Sequence, residues 1–218
     1  MDKLRLAYSQ TGRARWISHL DAMRTLQRIL LRAGVPIRYS EGFNPHALLS
    51  ILMPLSVGTE SLCQLADIRV KEDADLSALP ARLTAVSPEG IVFTEAYEDF
   101  AKPAELKWLT AEGTWEYDAA DPAEMAARCA ELFSAPVQVL RRTKRGEGLF
   151  RITDHIRELS FVPGEGVVTV RCTVSCAEPV VNPDLLTAAV VQNLPAAAPD
   201  AACFRRLALW KSDGAPFR

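Results

Sequence analysis

The chain has 218 residues and a mass of 24.0 kDa, with 49% hydrophobic residues, 24% charged residues and a formal net charge of −2. That composition excludes disordered, fibrous and low-complexity chains, and the length suits one large domain or two small ones. No run of about 18 apolar residues is present, and Met1-Asp2-Lys3-Leu4-Arg5 lacks the apolar core of a signal peptide, so a soluble cytoplasmic protein with no membrane contact is expected.

The first half reads as strand, helix, two strands, helix, strand. Residues 3–8 alternate polar with apolar, the period of a strand with one buried face. Ser18 is placed as a helix N-cap with Asp21 three residues on. Leu20, Met23, Leu26, Leu30 and Ala33 then recur at helical spacing until Gly34 and Pro36 stop the run. Extended segments are expected at 37–39 with 48–53 and at 63–70, a short helix over 75–86, and a strand at 91–94.

The second half repeats this order with almost no shared letters. A strand over 106–117 precedes a helix capped by Asp121 with Pro122 as its first residue. Strands follow at 136–142, 156–162 and 167–174, then a helix opened by Asn182-Pro183, then a strand at 204–211. The expected fold class is therefore α+β, as two tandem ferredoxin-like (βαββαβ) units with antiparallel sheets and helices on one face. The boundaries fall at 1–100 and 105–218, around Pro103.

Cys63, Cys129, Cys172, Cys176 and Cys203 are odd in number and scattered, which points to reduced thiols rather than a disulfide framework. Cys172 and Cys176 fall on the same side of one strand and lack further ligands nearby, so they read as buried structural thiols.

Charge is uneven along the chain. Residues 1–50 carry eight basic side chains against three acidic, residues 51–135 six against sixteen, and residues 136–218 eleven against eight. Within the first segment Arg24, Arg28 and Arg32 repeat at i, i+4 on one helix. Like charges so spaced cost about 0.2–0.5 kcal/mol per pair unless an anion lies along them. The alternative is a solvated face neutralised by the acidic middle segment. Arg13, Arg15 and Trp16 lie just upstream, a combination suited to phosphate contact and base stacking. A second basic cluster, Arg141, Arg142, Lys144 and Arg145, leaves a strand for a glycine-containing loop and suits a phosphate clamp or a solvated hairpin tip. No Gly-Lys-Ser/Thr sequence occurs, so nucleotide hydrolysis is disfavoured.

Tyr39-Ser40-Glu41-Gly42-Phe43-Asn44-Pro45-His46 is a rigid loop between two expected strands. It presents Phe43, Asn44 and His46 in fixed directions, with His19 on the neighbouring helix. Imidazoles suit proton transfer, so His46 or His19 is the alternative general base, although no triad can be assembled from the sequence. His19, His46 and Asp21 can be drawn as metal ligands. The preferred reading has no metal, no cofactor and no catalysis.

Trp16-Ile17-Ser18-His19-Leu20-Asp21, Arg32-Ala33-Gly34-Val35-Pro36, the loop Tyr39 to His46, and Pro54-Leu55-Ser56-Val57-Gly58-Thr59-Glu60-Ser61 together resemble the radical SAM-linked protein family, the domain of unknown function 2344. Glu41, Ala47 and Leu48 depart from that family's pattern. The resemblance implies a radical SAM protein as the partner that performs the chemistry, since this chain has no Cys-x3-Cys-x2-Cys motif. It also implies a setting in RNA metabolism. The expected function is that of a non-catalytic accessory protein holding a tRNA-like RNA on the arginines named above together with Phe43, Asn44 and His46, in one cationic cradle. The alternatives are a metal-independent endoribonuclease, by likeness to CRISPR repeat-processing enzymes, and a purely protein-binding subunit.

Overall fold

Strict alternation in β1 (Lys3–Gln10) sends Leu4, Leu6 and Tyr8 to one face and Lys3, Arg5 and Ala7 to the other. That choice organises the first of two compact units, Met1–Pro103 with Arg218, the second being Ala104–Phe217. The computed structural model describes residues 2–72, 75–98, 100–141 and 146–218, together with the backbone of 142 and 143.

After β1, a 3-10 turn over Gly12–Trp16 leads into α1 (His19–Arg32). The Ser18 hydroxyl accepts the Asp21 backbone N–H at 3.2 Å and donates to the Asp21 carboxylate at 2.8 Å, which fixes the helix start. Gly34, at φ +68°, ends it. β2 (Leu49–Ile51), β3 (Glu60–Arg69), α2 (Leu79–Ala85) and β4 (Ile91–Tyr97) complete the unit. Within this unit the strands lie in the order β4, β1, β3, β2, each neighbouring pair antiparallel. Both helices cover one face: Leu26, Ile29 and Leu30 of α1 and Leu79 and Leu83 of α2 share a core with Leu4, Leu6, Tyr8, Ala66 and Ile68. Each fully buried leucine contributes about 1.5–3 kcal/mol.

α2 is shorter than the expected 75–86. The Asp75 carboxylate accepts the backbone N–H groups of Ser77 and Ala78 in a turn, so the helix begins only at Leu79, with Pro80 in its first turn. Residues 37–39 form isolated bridges, Ile37 to Val70 and Tyr39 to Ala47, in place of a full strand.

The second unit contains β5 (Leu106–Glu116), α3 (Pro122–Phe133), β6 (Gln138–Thr143), β7 (Gly146–Arg151), β8 (Ile156–Pro163), β9 (Val167–Ser175), α4 (Asp184–Asn193) and β10 (Ala201–Lys211). Its sheet runs β10, β5, β9, β8, all antiparallel. Cys172 and Cys176 are buried thiols. Segment 136–142, expected in this sheet, instead forms a separate ladder with β7, a stretch that reads as loop in the sequence. The other edge of β6 is occupied by the Gln192 carboxamide, whose oxygen accepts the Leu140 N–H at 2.7 Å and whose NH2 group reaches the Leu140 carbonyl at 3.4 Å. The fold is α+β, with four α-helices among the described residues.

Candidate functional site

The expected cationic residues fall into distinct places. Along α1, Arg24, Arg28 and Arg32 are exposed, on the side away from Leu26, Ile29 and Leu30. Arg24 is paired with Asp21 at 3.1 Å. The Ser18 hydroxyl, followed by the Arg24 guanidinium, holds the Asp21 carboxyl below the usual carboxylate range. Arg28 and Arg32 have no carboxylate in ion-pair range among the described residues. Leu20 and Leu31 are exposed on the same helix face, giving it an apolar margin.

Arg13 is exposed in the turn that follows β1, while Arg15 is engaged locally. Its guanidinium lies 3.7 Å from Glu60 and 4.9 Å from the centre of the Trp16 ring, and Trp16 itself is 60% exposed. His19 opens α1 beside Gln10, Ile51 and Gln64.

The loop 40–46 is closed on itself. Ser40 N–H donates to the His46 carbonyl at 2.8 Å, His46 N–H donates to Ser40 Oγ at 3.0 Å, and Ser40 Oγ is hydrogen-bonded to His46 Nδ1 at 2.8 Å. Gly42, at φ +118°, turns the chain at the tip, leaving Phe43 fully exposed and Asn44 exposed beside it. His46 lines a cavity of about 430 Å³ together with Lys3, Leu48, Arg69, Phe100 and Lys102.

These positions correct the single cradle expected from the sequence. Lys3, Asp67 and Arg69 occupy the sheet face opposite to Leu4, Leu6 and Ile68, so the sheet stands between the α1 arginines and the cavity at His46. Arg13 and Arg15 follow the far end of β1, and an eight-residue strand spans about 23 Å. His19 and His46 line different cavities, so His19 does not share one site with His46 as expected. No three His, Cys, Asp or Glu side chains gather into a metal-ligating group among the described residues.

Arg141 belongs to the second unit, where its guanidinium lies 5.2 Å over Phe150, and Phe150 in turn stacks on His155 at 5.0 Å with an interplanar angle of 6°. Of the same cluster, the Arg142 side chain, Lys144 and Arg145 lie outside the described residues.

Sequence reasoning missed Lys3, Arg5, Asp67, Arg69 and Phe100. Arg5 is fully buried yet charged: its Nε and one terminal nitrogen donate to the two Asp67 oxygens at 2.6 and 2.9 Å. The other terminal nitrogen donates to the Ala101 carbonyl at 2.9 Å, and the guanidinium lies 4.3 Å from the Phe100 ring centre. The available signal was the polar phase of β1, where lysine and arginine alternate with the core leucines.

No curated protein matches the chain at a significant level. Among solved structures, one described as an unknown protein from Galdieria sulphuraria is similar at 10% identity and a TM-score of 0.27, over 94% of this chain and 98% of that one. Residues 3–183 match the model of the family described as "Uncharacterized protein conserved in bacteria (DUF2344)". With that match spanning most of its length, the chain belongs to the DUF2344 family.

Proposed function

We propose that this chain is a non-catalytic accessory protein that holds a structured, tRNA-like RNA for a radical SAM enzyme. The observation that carries the reading is the outer face of α1. Arg28 and Arg32 lie one turn apart, exposed and without a carboxylate among the described residues, and Arg24 continues the row. Such a row repels itself, and a phosphate backbone relieves that repulsion by displacing counterions. Arg13 adds a further exposed cation with no carboxylate in ion-pair range among the described residues, and Trp16 offers an exposed ring on which an unpaired base stacks. The radical SAM partner rests on the family resemblance. The common order of strands in the two units supports the ferredoxin-like description of each. The endoribonuclease alternative, with His46 or His19 as the general base, is separated from this reading by the fate of the RNA.

The test is an electrophoretic mobility shift of bulk tRNA by the full chain over a salt series. Binding at low salt that weakens steeply with added salt, with the RNA intact after prolonged incubation, supports the reading. No shift at low salt, or a shift indifferent to salt, contradicts it. Cleavage to a cyclic phosphate that is lost in His46→Ala transfers the assignment to the endoribonuclease.

A further inference from the structure

The cavity of about 430 Å³ beside His46 lies across the sheet from α1 and takes no part in the RNA reading. Its size is within the range of small-molecule sites, about 300–1,000 Å³. Lys3, Arg69 and Lys102 line it, and Asp67 is its one acidic residue among the described residues. The charge of Asp67 is already committed to Arg5 through two hydrogen bonds. Lys3 is exposed with no carboxylate in range among the described residues, and Arg69 meets Asp2 only at 3.7 Å. Lys3 and Arg69 therefore leave positive charge beside one small space among the described residues.

The lining also holds apolar groups, among them Leu48, Phe100 and Pro103. Phe100 is held in place rather than merely draped there. Arg5, rigid in its buried pair, packs against the ring at 4.3 Å and ties down the next residue through the Ala101 carbonyl. A wall fixed this way is preorganised, which lowers the ordering cost of binding. The hydrogen bond between Ser40 and Nδ1 fixes the orientation of the His46 ring, which also lines the cavity.

We infer that this cavity is a binding site for a phosphate monoester carried on an apolar or aromatic body. Lys3 and Arg69 meet the dianionic head with one positive charge each. Leu48, Phe100 and Pro103 cover the body. A carboxylate on the same body carries half the charge and binds more weakly.

The experiment is isothermal titration calorimetry of the full chain at low salt with phenyl phosphate, benzoate, inorganic phosphate and benzyl alcohol. Phenyl phosphate is expected to bind at least tenfold more tightly than each of the other three. Lys3→Gln combined with Arg69→Gln lowers its affinity at least tenfold. Ser50→Trp, at an exposed lining position, fills the space and abolishes binding, with the melting temperature checking that each variant is folded. Arg28→Gln on α1 leaves phenyl phosphate binding unchanged. The inference is overturned by absent phenyl phosphate binding, by equal affinity for phosphate alone, or by folded cavity variants that bind as the parent does. Loss of RNA binding with phenyl phosphate binding intact contradicts the RNA reading alone.

Discussion

Arg5 and Asp67 stand opposite each other on β1 and β3 and close a two-pronged ion pair whose guanidinium is fully buried while the carboxylate keeps about a quarter of its side-chain exposure. The asymmetry sets the cost of breaking it. Asp67→Ala strands a buried cation and is expected to cost about 3–5 kcal/mol. Arg5→Met leaves a carboxylate that water still reaches and costs less. Urea unfolding of the two variants checks the order, and a larger loss in Arg5→Met contradicts it.

Gly90 sits at φ +89°, and its carbonyl accepts the Thr11 N–H at 2.8 Å. A Cβ there would lie 2.2 Å from the Thr11 carbonyl oxygen, whereas a Cβ on Gly214, at φ +86°, meets nothing within 4 Å. Backbone strain alone costs about 1–3 kcal/mol at either position. Thermal melts are therefore expected to show Gly90→Ala losing clearly more than Gly214→Ala, because only the former must also displace backbone.

Burial pushes the Cys172 thiol up to about 12 and the Cys129 thiol up to about 11, from the usual 9.0. Above pH 9 the unfolded chain releases protons that the folded chain retains. The stability these thiols provide is complete below pH 9 and is lost as pH rises towards 11–12. Unfolding free energies measured from pH 8 to 10.5 are expected to fall, and to fall less in Cys172→Val. The exposed Cys203 reacts with iodoacetamide in the folded protein, while Cys129 and Cys172 react only on unfolding.

Ser18→Ala removes the side-chain acceptor at the start of α1 and is expected to cost about 1 kcal/mol, most of it restored by Ser18→Asn. The melting temperature reads both changes. An unaltered melt in Ser18→Ala contradicts the capping role.

Features governed by neighbours in sequence were legible. Ser18, the Leu26 and Leu30 positions of α1 and the alternation of β1 each carry their own local signal, and the elements stand where that signal places them, although Leu20, expected in the same buried stripe, is exposed and Ile29 is buried instead. β7 was not legible, because Gly-Glu-Gly-Leu-Phe-Arg reads as loop until Val139 and Leu140 pair with Phe150 and Leu149. The cavity escaped for a different reason. Lys3 and Arg69 are 66 positions apart and meet only through strand register, while Lys102 lies beyond β4. The same register defeats the single cradle: α1 binds the leucine phase of β1 and the cavity forms on the lysine–arginine phase, so residues close in sequence end on opposite faces.

The most direct measurement of the RNA-holding role is the salt dependence of tRNA affinity for the parent chain and for Arg28→Gln combined with Arg32→Gln. If both arginines meet phosphates, the plot of log affinity against log salt becomes shallower by about 0.7–0.9 for each arginine replaced, and affinity at low salt falls. Parallel plots of equal affinity, from a variant that melts as the parent does, contradict the account.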